Sequence, residues 1–218
     1  MAHTYKLTYF DIQFIGRGEQ IRLLLSYGGI PFEDIRIKHA DWPKIKPTTP
    51  LGQVPVLHIN DKSITQTGPI CRYLANIVGL AGNNNEENLE IDVAAEMIGD
   101  VLKTAYEYRF ETDETRKEKV KERLLELMPI IFTVLEENAI RNQGYIALDR
   151  VTFADIIFLC AYEDIRNILE NTDVIADYPN LQEVKKNLLS IESLKDWIQK
   201  RPTLPIFIYD LKNDIASE

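Results

Sequence analysis

Cysteine is scarce in this chain. Cys71 and Cys160 stand in unrelated contexts among 218 residues, so no disulfide framework, CxxC redox pair or cysteine zinc site can be built from them. Histidine is as thin: His3, His39 and His58 are scattered without metal-ligand spacing. No run approaches the roughly 18 apolar residues of a membrane span, and Met1 to Lys6 holds no apolar stretch of signal-peptide length. Positive charge is in deficit, with 25 Lys and Arg against 34 Asp and Glu, a net of −9. Such a chain is a poor nucleic-acid binder. The deficit is uneven: residues 1–80 carry a net of +3 and the remainder −12, so the first third favours a small anionic ligand. A reduced, cytoplasmic protein with no nucleic-acid, membrane or metal partner is the expectation.

What is present divides into two halves. Lys6 to Phe10 reads as a strand, Glu19 to Tyr27 as a helix stopped by Gly28-Gly29, and Phe32 to Ile37 as a second strand. Val54 to Ile59 and Ser63 to Gln66 flank Asn60-Asp61-Lys62, a hairpin signature. Ile70, Tyr73, Leu74, Ile77 and Val78 then mark an amphipathic helix, with Thr67 as its expected N-cap. The order is βαβ followed by ββα. Beyond the Gly- and Asn-rich stretch 79–88, strand signals stop. Ala94, Met97, Ile98, Val101, Leu102 and Ala105 lie on one helix face, and a second such face runs from Val120 to Leu135 with a kink expected at Pro129. Thr152-Phe153-Ala154-Asp155 is a capping-box variant opening an apolar segment, Ile156 to Tyr162, which reads as a buried central helix. Shorter helices are expected near 179–190 and 191–200. The fold class is α/β plus all-α: residues 1–80, a linker at 81–88, a helical domain at 89–203, and an extension at 204–218.

Lys6-Leu7-Thr8-Tyr9-Phe10, Asp41-Trp42-Pro43, Leu51 to Leu57, Gln66-Thr67, Ile70 to Leu74 and Leu148 to Asp155 follow one another in the order and spacing of a known pattern. The chain resembles the cytosolic glutathione transferases, and within them the sigma class, closer to the arthropod and nematode members than to the vertebrate prostaglandin D synthase. The resemblance covers about residues 4–203. It implies a thioredoxin-like first domain, glutathione as co-substrate, no metal, and conjugation of the thiolate to small hydrophobic electrophiles such as lipid-peroxidation products. Detoxification, a peroxidase side activity and a homodimer come with it.

The resemblance also implies roles. Tyr9 donates its hydroxyl proton to the glutathione sulfur and is the catalytic residue, with Phe10 beside it and Arg17 near the thiolate. Gln66 and Thr67, at a helix N-terminus suited to anions, hold the γ-glutamyl carboxylate. Pro55 is cis, so that Val54 presents its backbone to the cysteinyl part. Trp42, Lys46 and Gln53 take the glycyl end. Asp100 reaches across a two-fold axis to the α-amino group.

The electrophile pocket is expected between the domains, walled by Phe10, Phe14, Ile15, Tyr106, Tyr108, Phe110 and Tyr209, with the extension after Thr203 folding over it. Two departures stand out. The loop after Phe10 is about two residues longer than usual. Glu96, Gly99, Asp100 and about Glu107 stand where the vertebrate isomerase has an acid cluster and a tryptophan, so efficient prostaglandin D synthesis is not expected. The rival readings are a non-catalytic ligandin and a crystallin-like structural protein. The crystallins are methionine-rich with degraded ligand sites, whereas this chain has three Met and keeps Tyr9, Trp42, Lys46 and Gln66.

Overall fold

The computed structural model describes residues 3–11, 16–202 and 215. Four strands form one sheet: β1 (Tyr5–Phe10), β2 (Phe32–Ile37), β3 (Val56–Ile59) and β4 (Lys62–Thr65), in the order β2-β1-β3-β4. β1 runs parallel to β2, with Tyr9 opposite Arg36, and antiparallel to β3, with Leu7 opposite Leu57. Parallel neighbours need a crossover, which α1 (Gly16–Tyr27) supplies; Gly29, at φ +61°, turns the chain out of that helix into β2. The hairpin β3–β4 turns at Asn60, at φ +52°. Between β2 and β3 lies α2 (Trp42–Ile45), a single turn flanked by 3₁₀ turns, where the sequence offered no periodic signal.

The second half is helical: α4 (Asn85–Phe110), α5 (Glu114–Arg141), α6 (Phe153–Ile168), α7 (Pro179–Leu189) and α8 (Glu192–Lys200). It joins the sheet domain through α3 (Thr67–Val78). The sequence reading therefore holds for βαβ–ββα followed by helices, with two differences. α3 begins at Thr67 with Gln66 as N-cap, so Thr67 is the first helical residue rather than the cap. α4 begins inside the expected linker, because the Asn84 side chain accepts the Glu87 N–H at 2.8 Å and caps it early. The kink expected at Pro129 does not end α5, which runs on to Arg141; Leu125 and Pro129 are both exposed, so the carbonyl that loses its partner lies on the solvent side.

α6 is the axis of the helical half, buried from Phe153 to Ile165. Its start is fixed by Asp155, whose carboxylate accepts the N–H groups of Ile146 and Thr152 and the Thr152 hydroxyl, all at 2.8 Å. Burial pushes the Asp155 carboxyl up to about 6 against those donors.

The two halves meet on α1, and there the contact is ionic. Glu19, 3% exposed, accepts Trp197 Nε1–H at 2.8 Å, Arg201 Nη1–H at 3.1 Å and Arg22 Nη1–H at 3.2 Å. Arg22 reaches on to Asp34 of β2 at 2.9 Å, and Arg201 to Glu163 of α6. Burial alone would raise the Glu19 carboxyl, but Arg201 and Arg22 outweigh it and hold it below its ordinary value. A depressed folded-state pKa gives stability that is present above the unfolded value and lost as pH falls through the folded one. Glu19→Gln is expected to cost about 3–5 kcal/mol at pH 7, the penalty for breaking a buried ion pair from one side. Urea titrations should show that deficit shrink below pH 4.5, the ordinary glutamate value. A pH-independent loss would mean that packing, not charge, joins the halves.

Candidate active site

Tyr9 ends the inner face of β1, where α1 begins above it. It is 7% exposed, and its hydroxyl oxygen accepts the Arg17 N–H at 3.1 Å. Gly16, at φ +62°, lets the chain swing into α1, and Gly18 lets the helix lie on the ring. A Cβ on Gly18 would fall 2.5 Å from Cγ and Cδ1 of Tyr9. Burial first, then the charge of Asp164, pushes the Tyr9 phenol up to about 12, even though the Arg17 N–H and the charges of Arg22 and Arg17 pull it down. The phenol is therefore protonated at neutral pH. Its oxygen already has a donor, so its own proton remains to be given to a ligand.

Beside Tyr9, Phe10 makes an edge contact at 6.0 Å, stacks on His39 at 4.8 Å, and meets Trp42 edge-on at 5.0 Å. This aromatic chain leads from the hydroxyl to α2. Lys46, exposed, folds its stem over Gly52, where a Cβ would lie 3.3 Å from the lysine Cε. Gln53 is exposed and Val54 half-buried just beyond, and the Val54–Pro55 bond is cis, as expected.

On the other side a cavity of about 330 Å³ opens between the two halves. Thr67 lines it, and Arg17, Arg72, Glu96, Asp100 and Lys103 bring charge of both signs to it. Just before Thr67, which lines the cavity, Gln66 holds φ +73°, unusual for a side chain with a Cβ, and turns the chain so that α3 starts there. The first N–H groups of a helix have no partner within it, so this end is ready for a carboxylate.

The structure thus brings Arg17, Thr67 and Asp100 onto one cavity and Tyr9, Phe10 and Trp42 into one aromatic chain. Asp100 and Thr67 line that cavity together within one chain. Tyr106 and Phe110 lie 6.5 Å apart on one face of α4. Tyr108 does not join them: its ring meets Lys117 of α5 at 5.7 Å, on the far side of the helix. Glu107 also turns to α5 and pairs with Arg123. Phe14, Ile15, Tyr209 and the extension at 203–214 lie outside the described residues.

Gly18, His39, Arg72 and Asp164 escaped the sequence reading, because a lone glycine or an isolated charge carries no spacing signal. Both cysteines are buried; burial pushes the Cys71 thiol up to about 12 and the Cys160 thiol well above its ordinary value, so neither is a nucleophile at neutral pH. Among the described residues no group of three or more His, Cys, Asp or Glu could hold a metal ion, and no helix is long and apolar enough to cross a membrane.

Residues 5–76 match the glutathione S-transferase N-terminal domain, and residues 99–201 the glutathione S-transferase C-terminal domain. A glutathione S-transferase of Anopheles gambiae is 41% identical over 199 residues, covering 91% of this chain and 97% of the relative. Hematopoietic prostaglandin D synthase of Gallus gallus is 32% identical over 93% of this chain and 98% of its own. The solved structure of prostaglandin synthase D of Nilaparvata lugens superposes with a TM-score of 0.86 at 40% identity, over 93% of this chain and all of the other.

The contact between Gly18 and Tyr9 is directly testable. Gly18→Val is expected to lose about 1–3 kcal/mol by overpacking against the ring. At Gly99 no described atom lies within 4 Å of an added Cβ, so Gly99→Ala should instead gain up to about 1 kcal/mol of helix propensity. Equal effects in denaturant titrations would show that Gly18 is not a packing constraint.

Proposed function

Because the chain belongs to the glutathione S-transferase family, we propose that it is a sigma-class enzyme that adds the glutathione thiolate to small hydrophobic electrophiles such as lipid-peroxidation aldehydes. The observation that carries the reading is the state of Tyr9: a phenol held protonated, its oxygen occupied by Arg17 N–H and its proton available. A free thiol with a pKa near 8.5 is mostly protonated at neutral pH. A hydrogen bond offered to the sulfur favours the anion, at about 1.36 kcal/mol for each unit of lowering. The thiolate then attacks the electrophile, and much of the remaining acceleration is proximity.

The rest of glutathione follows the charges. Its γ-glutamyl end carries an amine and a carboxylate, which suits a cavity with both signs: the N-terminus of α3 at Gln66 and Thr67 for the carboxylate, Asp100 for the amine. The backbone of Val54, before Pro55, meets the cysteinyl unit. The indole N–H of Trp42, the ammonium of Lys46 and the amide of Gln53 take the glycyl carboxylate. The electrophile lies between Phe10, Tyr106 and Phe110, beside Arg17.

The working unit in this reading is a homodimer. α3 and α4, joined by the Arg72–Asp92 pair at 2.6 Å, expose Tyr73 and Ile77 on one helix and Leu89 and Val93 on the other. A second copy would cover those side chains. The cytoplasm as the place of action, detoxification as the role and a hydroperoxide side reaction of the same thiolate belong to the same proposal. Isomerisation of a prostaglandin endoperoxide is the second reading, favoured by the names of two of the relatives. Gly99, which brings no carboxylate, and Glu107, held by Arg123, count against it.

The test is conjugation of glutathione to an activated chloroarene and to 4-hydroxynonenal. Wild type should turn both over, and Tyr9→Phe should lose about 10²-fold in kcat, the scale for one hydrogen-bond donor to a developing anion. The KM for glutathione should stay within about threefold, since the peptide is held elsewhere. Because the phenol is protonated well past neutral pH, the acid limb of the rate profile belongs to the sulfur and should move to higher pH in Tyr9→Phe. An active enzyme indifferent to Tyr9 would transfer the donor role elsewhere. Absence of turnover alongside retention on immobilised glutathione would leave a carrier.

A second expectation concerns assembly. Sedimentation should give a dimer, and Ile77→Glu with Val93→Glu should yield monomers with native helix content. A monomeric wild type would overturn the two-fold arrangement without touching the chemistry.

A further inference from the structure

Two consecutive acids, Glu163 and Asp164, are fully buried on α6, directly after its apolar stretch. Glu163 is explained by Arg201 and the junction of the two halves. Asp164 faces the other way. Its Oδ2 and Oδ1 accept the Gly16 N–H at 3.0 and 3.2 Å, and Oδ2 accepts the Tyr106 hydroxyl at 2.6 Å. Gly16 is the first residue of α1, and the next N–H along, that of Arg17, is the one given to the Tyr9 oxygen. Across Tyr106 the Arg17 guanidinium lies 5.9 Å from the ring centroid.

We propose that Asp164 is a positioning residue for the thiolate chemistry: a carboxylate from the helical half that anchors the first turn of α1 and so holds Arg17 N–H on Tyr9. The inference deepens the glutathione transferase reading and rests on it. Without the anchor, Gly16 keeps a buried N–H with no acceptor, and the first turn of α1 is free to fray. The Tyr9 oxygen then loses its fixed donor, and the direction of its proton is no longer set. A carboxylate at a helix N-terminus also lies favourably in the helix dipole, so the anchor is strong without touching the sulfur.

The charge adds a second effect. The groups facing Tyr9 are Arg17 and Arg22 on α1, Asp164 on α6 and Tyr106 on α4. Asp164 is the acid among them, and its charge opposes ionisation of both phenols, after burial in each case. Tyr9 is thereby kept as a donor and not a base.

Asp164→Asn and Asp164→Ala separate anchor from charge. The asparagine oxygen can still accept Gly16 N–H while its amide donates to the Tyr106 oxygen, so the conservative variant keeps the anchor and loses the charge. Alanine loses both. Carbon-13 NMR of ζ-labelled tyrosine in the ligand-free protein, with the Tyr9 signal identified by Tyr9→Phe, should show Tyr9 ionising at lower pH in both variants. Conjugation kcat/KM should fall about tenfold to a hundredfold in Asp164→Ala, the scale of a displacement near 1 Å, and only a few-fold in Asp164→Asn. If the alanine variant does not fold, the asparagine variant still reads the charge. Folded variants with unmoved Tyr9 titration, or an asparagine variant as slow as the alanine one, would overturn the proposal. A wild type inactive toward glutathione would fail the functional reading, while the Tyr9 titration would still judge the role of Asp164.

Discussion

The carboxylate of Glu19 is the point on which the two halves turn. It sits in the first turn of α1, buried, with Arg22 from its own helix and Arg201 and Trp197 from the end of the chain converging on it. A buried ion pair is weak evidence for net stability, because desolvation offsets much of the attraction. It is strong in another respect, since each partner left alone is very costly. That asymmetry leaves one docking of α1 against α8 and β2, and every element of the site takes its position from α1.

The site follows from that docking. α1 starts over the end of β1, lays Gly18 on the Tyr9 ring, and delivers Arg17 N–H to the hydroxyl. The same helix packs on α3, whose N-terminus forms the floor of the mixed-charge cavity, and on α6, which supplies Asp164. Tyr9 belongs to the sheet domain, while the start of α1, whose Arg17 N–H meets the Tyr9 hydroxyl, is held by Asp164 of the helical one.

Much of the fold was legible in the residues. β2 falls at Phe32–Ile37 as read, and the buried run of α6 was visible because apolar residues without a polar face can only be interior. Elements set by single side-chain contacts were not legible. The early start of α4 depends on one Asn84 hydrogen bond, and α2 is one turn without periodicity. The candidate site was legible where a motif pointed to it, at Tyr9, Trp42 and Thr67. It was silent at Gly18 and Asp164, whose importance lies in a contact between residues distant in sequence. Tyr108 shows the opposite error: aromatics at 106, 108 and 110 look like one group, yet two residues along a helix is about 200° of rotation.

Charge counting shows the same limit at a larger scale. A net of +3 over residues 1–80 suggested attraction for an anion, but four of the nine cations there are tied into ion pairs that serve the fold. Lys6 pairs with Glu33, Arg22 with Glu19 and Asp34, Arg36 with Asp34 and Asp11, and Arg72 with Asp92 and Glu96. Among the described residues Arg17, Lys38, Lys44, Lys46 and Lys62 make no ion pair; of these Arg17 lines the mixed-charge cavity and Lys46 lies over Gly52. In the proposed reading Arg17, Lys46 and the N-terminus of α3 meet the two carboxylates of the peptide, so what matters for the ligand is which charges the fold leaves unpaired and where they stand, rather than their sum.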